Sequence, residues 1–218
     1  FCLNVIENIA VTYKKPVAFF SVEMALNEIV LRLICSQAQI NMFKVRQGDV
    51  NKTTWPILTS AAERLSETAI ELNELPTASI IDLRSQARRL CMQKPIELIV
   101  IDYLQLLSST TRRVDGRQQE VADISRSLKA LARELEIPII AVSQLSRRPE
   151  ERDRGGVPRL ADLRESGALE QDADMVLFVY REELYKKDQE ELRGKAKIII
   201  AKQRNGPTGE IDLIFQRE

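Results

Sequence analysis

The stretch Leu98-Ile99-Val100-Ile101-Asp102-Tyr103 decides the fold of this 218-residue chain. An unbroken apolar run leaves a strand with no water-facing side, and such strands occur in parallel sheets that helices cover on both faces. The run ends abruptly at Asp102, and open α/β sheets bind their ligands at the carboxyl ends of the strands. Asp102 is therefore a candidate ligand-binding residue, although a buried strand can also simply end in an aspartate before a turn.

Apolar strands and amphipathic helices alternate along the rest of the chain, which is typical of a parallel α/β sheet. The clearest helix is predicted over Gln118–Glu136, where apolar residues recur at steps of three and four. Late in the chain, two strands flank the turn sequence Asn205-Gly206-Pro207-Thr208-Gly209, which predicts a β-hairpin. The fold class is therefore α/β, with a central, mostly parallel sheet flanked by helices. The other predicted strands are Val17–Phe20, Ala69–Leu72, Ile139–Val142 and Met175–Val179.

The composition describes one ordinary globular domain over residues 1–218. Apolar residues make up 44% and charged residues 29%, and 32 Lys and Arg balance 32 Asp and Glu, so nothing in the net charge announces a polyanionic partner. The three cysteines are widely spaced, which suits reduced thiols rather than a disulfide framework. The chain has no histidine. This excludes imidazole-based nucleophile pairs and zinc sites, and phosphoryl transfer is a chemistry that carboxylates, Lys, Arg and amides can run.

Three apolar strands end in polar side chains, namely Glu23, Asp102 and Gln144. Parallel strands bring their carboxyl ends to one edge of the sheet, so we expect these side chains to converge. In a nucleotide hydrolase, charge assigns the roles: Asp102 supports Mg²⁺, Glu23 polarises the attacking water, and Gln144 contacts the γ-phosphate and senses its loss. The alternative is that these are three ordinary strands, each of which simply ends in a polar residue.

Six motifs follow one another in order along the chain. They are Ser21-Val22-Glu23-Met24, Ile101-Asp102-Tyr103-Leu104-Gln105-Leu106, Arg117-Gln118-Gln119-Glu120-Val121, Ser143-Gln144-Leu145-Ser146-Arg147, Asp162-Leu163-Arg164-Glu165-Ser166-Gly167 and Ala201-Lys202-Gln203-Arg204-Asn205-Gly206-Pro207. Together they resemble the carboxyl-terminal motor domain of DnaB-type hexameric replicative DNA helicases. The resemblance implies a RecA-like core, with ATP and Mg²⁺ as cofactors and hydrolysis between adjacent subunits of a homo-hexameric ring around single-stranded DNA.

The resemblance also implies a role for each matching site residue. Glu23 matches the catalytic carboxylate, Asp102 the Walker B aspartate, and Gln144 the glutamine that links nucleotide state to the DNA loops. Lys202 and Arg204 match the basic pair that the family inserts into the neighbouring subunit's site, where positive charge stabilises the transferring phosphoryl group. Both lie beside a tight turn and are expected to project outward. Without the resemblance, the preferred interpretation would be that Lys202 and Arg204 are two charged residues beside the hairpin turn that are exposed to water.

Arg164-Glu165-Ser166-Gly167 matches the family's DNA-contacting loop. In that role Arg164 supplies positive charge and Gly167 allows close backbone approach to phosphates, so binding should be salt-dependent and weakly sequence-specific. The same four residues could instead begin a helix. The Arg-rich segment Arg147–Pro158 is predicted to be a mobile loop, and acids interleaved with its arginines leave a channel-lining role open.

A phosphate loop of the pattern G-x-x-x-x-G-K-[ST] does not occur in this sequence. The chain begins at Phe1 within a helical pattern, so we expect a fragment whose upstream part is missing and which does not bind ATP tightly. A RecA-like recombinase or repair ATPase, and a non-catalytic DNA-binding ring module, remain alternatives. The resemblance further implies primase and a helicase loader as partners. No apolar run approaches the length of a membrane span, so no membrane is expected as a partner. A chain with reduced thiols and no targeting signal fits bacterial cytoplasm or an organelle stroma such as the plastid's.

Overall fold

The computed structural model describes residues 1–75, 77–109, 116–145, 156–186 and 188–216, without the side chains of Arg164, Glu165 and Ser166. The described α-helices are α1 (Cys2–Val11), α2 (Leu26–Ala38), α3 (Met42–Arg46), α4 (Thr54–Ser66), α5 (Ile80–Gln93), α6 (Arg117–Leu135) and α7 (Gly167–Asp172). The strands are β1 (Val17–Ser21), β2 (Ile70–Glu74), β3 (Leu98–Asp102), β4 (Ile139–Ala141), β5 (Met175–Tyr180), β6 (Lys195–Gln203) and β7 (Gly209–Ile214). Short 3-10 helices span Leu104–Leu106, Leu160–Ser166, Glu182–Leu184 and Glu190–Leu192.

The first sheet has the order β2-β1-β3-β4, and all of its pairs are parallel. The apolar run before Asp102 forms β3, which lies inside this sheet and is buried from Leu98 to Ile101. The predicted parallel sheet is therefore confirmed. Because β4 is the outermost strand of the sheet, its apolar residues are less covered than those of β3, and Ala141 is exposed.

Helices α1 and α2 cover one face of this sheet. Ile6, Ile29 and Leu33 pack with the β1 residues Val17 and Phe19 in a single buried cluster that also includes β3 residues. Helical apolar spacing in α1 and α2 places these side chains on one stripe, while alternation along a strand sends every second residue to this face. This packing fixes where the carboxyl ends of β1 and β3 lie.

The described residues group into two compact units. The first comprises Phe1–Arg112 with Ala130–Ser143 and holds the parallel sheet; the second comprises Arg113–Lys129 with Gln144–Arg217. The second unit holds an antiparallel sheet of order β5-β6-β7. The predicted hairpin is confirmed as β6–β7, and β5 joins it as a third strand. The assignment of residues 1–218 to one domain stays a prediction.

Helix α6 confirms the strongest periodic pattern of the sequence, because Val121, Ile124, Leu128 and Leu131 are all buried. In the first unit, Arg88 of α5 forms a two-point ion pair with Glu134 of α6. The three cysteines are free thiols. In the part of the chain that the structure describes, no helix is both long and apolar enough to cross a membrane.

Candidate functional site

The carboxyl ends of β1 and β3 lie side by side in the first unit. Ser21 is the register partner of Asp102, and the Val22 N–H donates to the Asp102 carbonyl oxygen over 2.8 Å. Asp102 is the last residue of β3 and is half-buried. The peptide bond from Asp102 to Tyr103 is cis. The sheet therefore presents Asp102 at the edge where α/β folds bind their ligands.

Glu23 lies in the turn that leaves β1, and the Ser21 hydroxyl closes this turn. Ser21 Oγ donates to the Met24 carbonyl oxygen over 2.6 Å and accepts from the Met24 N–H over 3.0 Å. Ser21 has no exposed surface, whereas Glu23 is exposed. The fully buried hydroxyl thus fixes the backbone on both sides of Glu23. Sequence reasoning missed Ser21 as a positioning residue, and a polar residue at the end of a wholly apolar strand was the available signal.

The two carboxylates share one electrostatic environment. Burial raises the pKa of Asp102, the negative charge of Glu23 raises it further, and the Phe1 amino group and the Arg32 guanidinium oppose both effects. Burial also raises the pKa of the Cys2 thiol, and the negative charge of Asp102 raises this pKa further. Glu23, Asp102 and the start of α1 therefore lie close enough to influence one another electrostatically. Glu23 and Asp102 are two of the three strand-end residues whose convergence the sequence predicts.

The third strand-end residue, Gln144, follows a segment that is tied to the end of β3. The Val142 N–H donates to the Ile101 carbonyl oxygen over 2.9 Å. The Gln105 side-chain amide donates to Ser143 Oγ over 2.7 Å. Gln144 itself belongs to the second unit. Its convergence with Glu23 and Asp102 stays a prediction.

Asp102 suits a magnesium ion bound partly by water. Mg²⁺ prefers oxygen donors, keeps several waters, and is commonly held by one or two carboxylates with substrate phosphates. A half-buried carboxylate whose pKa is raised by burial and a neighbouring negative charge gains from a bound cation. Within the described ranges, no group of three or more His, Cys, Asp or Glu could form a protein-only metal cage. The half-buried carboxylate of Asp102 is the donor in this part of the structure that would suit Mg²⁺.

Lys202 and Arg204 come together in the second unit, at the carboxyl end of α7. Lys202 Nζ donates to the carbonyl oxygens of Glu170, Gln171 at 3.2 Å and Ala173 at 2.7 Å. An Arg204 terminal N–H donates to the Gln171 carbonyl oxygen over 2.7 Å. The expectation that both side chains project outward is therefore wrong for Lys202, whose ammonium turns back onto the helix because backbone carbonyls satisfy it there.

The predicted DNA-contacting residues have a helical backbone rather than that of a loop. Arg164, Glu165 and Ser166 end the 3-10 helix Leu160–Ser166, and α7 begins at Gly167 without a break. Gly167 has a φ of −53°, an ordinary helical value that any residue adopts. The alternative interpretation of a helix start thus describes the backbone. The role of Arg164–Gly167 on DNA stays a prediction. Of the predicted mobile loop Arg147–Pro158, residues 147–155 lie outside the described residues, and its possible channel-lining role stays a prediction.

The whole chain, residues 1–218, matches the family described as "DnaB-like helicase C terminal domain". It is 46% identical to "Replicative DNA helicase DnaB" of Geobacillus stearothermophilus, covering 100% of this chain and 48% of that protein. "Replicative DNA helicase DnaC" of Bacillus subtilis (strain 168) is 44% identical over 100% of this chain and 48% of that protein. A solved structure described as "The Structure Of A DnaB-Like Replicative Helicase And Its Interactions With Primase" is 37% identical with a TM-score of 0.92, over 100% of this chain and 52% of that one. The chain spans about half the length of the curated relatives it matches.

Proposed function

This chain belongs to the DnaB-like helicase C-terminal domain family, and we infer from that membership that it is the ATP-hydrolysing motor segment of a replicative DNA helicase. The motor would unwind duplex DNA by moving along single-stranded DNA. One observation carries the enzymatic part of the proposal: Glu23 and Asp102 lie at the carboxyl ends of adjacent parallel strands, and the charge of Glu23 raises the pKa of Asp102. Two carboxylates in this relation suit separate tasks, one at the metal and one at the attacking water.

Each carboxylate has an environment suited to its task. Asp102, half-buried at the end of β3, would hold Mg²⁺, whose charge would offset that of the phosphate oxygens when the ion is bound. Glu23 is exposed and would accept a hydrogen bond from water, which increases the negative charge on the attacking oxygen. Ser21 keeps Glu23 in place by bridging both polar groups of the Met24 backbone.

The remaining site residues are proposed to act between subunits and on DNA. Lys202 and Arg204 would stabilise charge on the phosphoryl group in the neighbouring subunit of a homo-hexamer. Gln144 would report the nucleotide state to the segment Arg164–Gly167, which would hold successive phosphates of single-stranded DNA. The cofactors of this proposal are ATP and Mg²⁺.

The proposed partners are single-stranded DNA, further copies of the chain, a primase and a helicase loader. The similar solved structure is described with its primase interactions, which supports the primase proposal. The proposed location is bacterial cytoplasm or an organelle stroma such as that of a plastid. The relatives from Geobacillus stearothermophilus and Bacillus subtilis support the bacterial assignment.

The experiment compares Glu23→Gln with Glu63→Gln in the chain extended upstream through a phosphate loop. Glu63 is an exposed residue of α4, so it controls for the loss of one surface charge. We expect Glu23→Gln to abolish DNA-stimulated hydrolysis and retain ATP binding, and Glu63→Gln to behave like the parent. Unchanged turnover of Glu23→Gln would remove its catalytic assignment. Strand exchange without unwinding would favour a recombinase, and DNA binding without hydrolysis would favour a ring module.

Mixed assemblies test whether Arg204 acts across the subunit interface. Arg204→Ala retains Glu23, and Glu23→Gln retains Arg204, so a mixed ring contains some sites with both groups if Arg204 is supplied by a neighbour. Mixing the two inactive variants should then restore part of the hydrolysis. Mixtures that stay as inactive as either variant alone would indicate that Arg204 acts within its own subunit.

A further inference from the structure

The carboxyl end of α7 concentrates negative charge that the helix itself does not balance. Glu170 and Asp172 lie in α7, Asp174 follows it, and the last turn of the helix contains no basic residue. The last carbonyls of any helix also lack partners within the helix and carry partial negative charge. We call the carbonyl oxygens of Glu170, Gln171 and Ala173, together with the Asp174 carboxylate, the α7 dock.

The cations that occupy the α7 dock come from β6 and from the residue after it. Lys202 uses all of its donors in the dock, because an ammonium group has three hydrogens and its contacts are three carbonyl oxygens, those of Glu170, Gln171 and Ala173. In this position Lys202 has no hydrogen left for a phosphate oxygen. Binding the dock and binding a nucleotide are therefore mutually exclusive for this side chain.

Arg204 is held at the same place in a different way. Its main-chain N–H donates to the Asp174 carbonyl oxygen over 2.9 Å, and its guanidinium lies 3.5 Å from Asp174 Oδ1 and donates to Gln171. The other carboxylate oxygen of Asp174 pairs with Lys129 of α6. A guanidinium has five N–H donors, so Arg204 can keep these contacts and still direct donors elsewhere. Asp174 thus connects the backbone and the side chain of Arg204 to α6.

We propose that the α7 dock is a switch, in which Asp174 positions Arg204 permanently while Lys202 occupies the dock only when the neighbouring phosphate site is empty. The proposal rests on the proposed action of Lys202 and Arg204 in the neighbouring subunit. When Lys202 leaves for a phosphate, the carbonyl oxygens of Glu170 and Ala173 lose this donor, while that of Gln171 keeps Arg204. Because α7 continues directly from the 3-10 helix that ends at Ser166, the segment Arg164–Gly167 at its other end senses the departure.

The coupling works in both directions, since a change in binding free energy at one site must be matched at the other. DNA that fixes Arg164–Gly167 changes the stability of α7 and hence the affinity of the dock for Lys202. Nucleotide in the neighbouring subunit draws Lys202 away and changes the affinity of Arg164–Gly167 for DNA. The dock therefore gives DNA-stimulated hydrolysis a physical route within one subunit.

Asp174→Asn tests the dock without touching a group assigned to the phosphate or to DNA. Asp212→Asn is the matched control, because Asp212 is an exposed aspartate of β7 that lies 3.9 Å from Lys197. Both variants remove one negative charge, which by electrostatics alone would strengthen binding to DNA. For Asp174→Asn in the protein that includes its phosphate loop, we expect about a tenfold fall in DNA-stimulated kcat with an unchanged KM for ATP. We also expect the affinity for a labelled oligothymidylate to depend less on a non-hydrolysable ATP analogue, because loss of the Asp174 charge weakens the negative charge of the dock that competes with phosphate for Lys202.

Three outcomes separate the inference from the proposed function. If the parent protein hydrolyses ATP and the two variants Asp174→Asn and Asp212→Asn have the same DNA-stimulated kcat, the dock is overturned and the proposed function stands. A lower melting temperature of Asp174→Asn with unchanged kcat per folded protein also overturns it, since the residue would then be only structural. A parent protein without any hydrolysis overturns the proposed function and, with it, the switching role.

Lysine side-chain NMR of the 218-residue chain tests the occupied dock directly. An ammonium that donates to three carbonyl oxygens exchanges its protons slowly, whereas exposed ammonium groups exchange fast. We expect one protected ammonium resonance that disappears in Lys202→Arg and persists in the control Lys197→Arg, a neighbour on the same strand that pairs with Glu210. Absence of a protected resonance from Lys202 would contradict the dock.

Discussion

Replacing Ser21 with Ala removes the hydroxyl that shapes the turn carrying Glu23. The change deletes two hydrogen bonds to Met24, of 2.6 and 3.0 Å, at a side chain with no exposed surface. A typical intramolecular hydrogen bond contributes about 0.5–1.5 kcal/mol, so we expect a loss of about 2 kcal/mol in the free energy of unfolding. Alanine fits the space that serine leaves, so the loss arises from unmade bonds and not from a clash.

Urea denaturation followed by circular dichroism measures this loss. With an m value of about 2 kcal/mol per molar, the midpoint should fall by roughly 1 M. The matched control is Ser60→Ala on the exposed surface of α4, where the change should be near zero. In the chain extended through a phosphate loop, kcat should also fall about tenfold or more, because a displaced Glu23 no longer meets the attacking water. Equal midpoints for the Ser21 and Ser60 variants would refute this account of the turn.

Three further predictions concern charge, packing and backbone. The pKa of Asp102 is raised above its ordinary 3.8 in the native state, so the native state binds more protons than the unfolded chain, and stability falls as pH rises through the window between the two values. Asp102→Asn should therefore raise the melting temperature at pH 7, with a gain that shrinks as pH falls through that window and is absent below pH 3.8. Leu131→Ala, at a side chain with no exposed surface, should cost about 3 kcal/mol in urea denaturation, and a cost below about 1 kcal/mol would contradict the packing of α6. Gly156→Ala should lower the melting temperature more than Gly48→Ala. Both glycines have a positive φ, but only a methyl group at Gly156 would overlap the Tyr185 ring. Equal effects of the two substitutions would exclude that contact.

The parallel sheet could be predicted because its signal is local. A run such as Leu98–Ile101 is apolar on both faces, and only a strand inside a covered sheet satisfies that requirement. The positions of Glu23 and Asp102 followed from the same argument, since parallel strands bring their ends to one edge. The role of Ser21 did not follow, because whether a serine at a strand end is buried and bonded depends on the turn that comes after it.

The contacts of α7 could not be predicted for a different reason. Lys202 lies 29 to 32 residues beyond its three carbonyl partners, and no sequence periodicity connects them. The hairpin pattern placed Lys202 and Arg204 beside a tight turn, but whether their charge meets water, a phosphate or a helix end depends on the pairing of β5 with β6. That pairing places Val176 opposite Lys202 and so brings β6 beside the end of α7.

The sequence by itself determined the long helices, the central strands, the hairpin and the family, because hydrophobic periodicity and ordered motifs can be read directly along the chain. Only the tertiary structure decided what the polar groups at the ends of these elements contact. It gave Ser21 its buried turn, brought the charge of Glu23 to bear on Asp102, and placed Lys202 on the carbonyls of α7. The physical reason is that burial of apolar side chains follows from local pattern, whereas a hydrogen bond or ion pair requires two groups at a set distance, and only the folded chain fixes that distance.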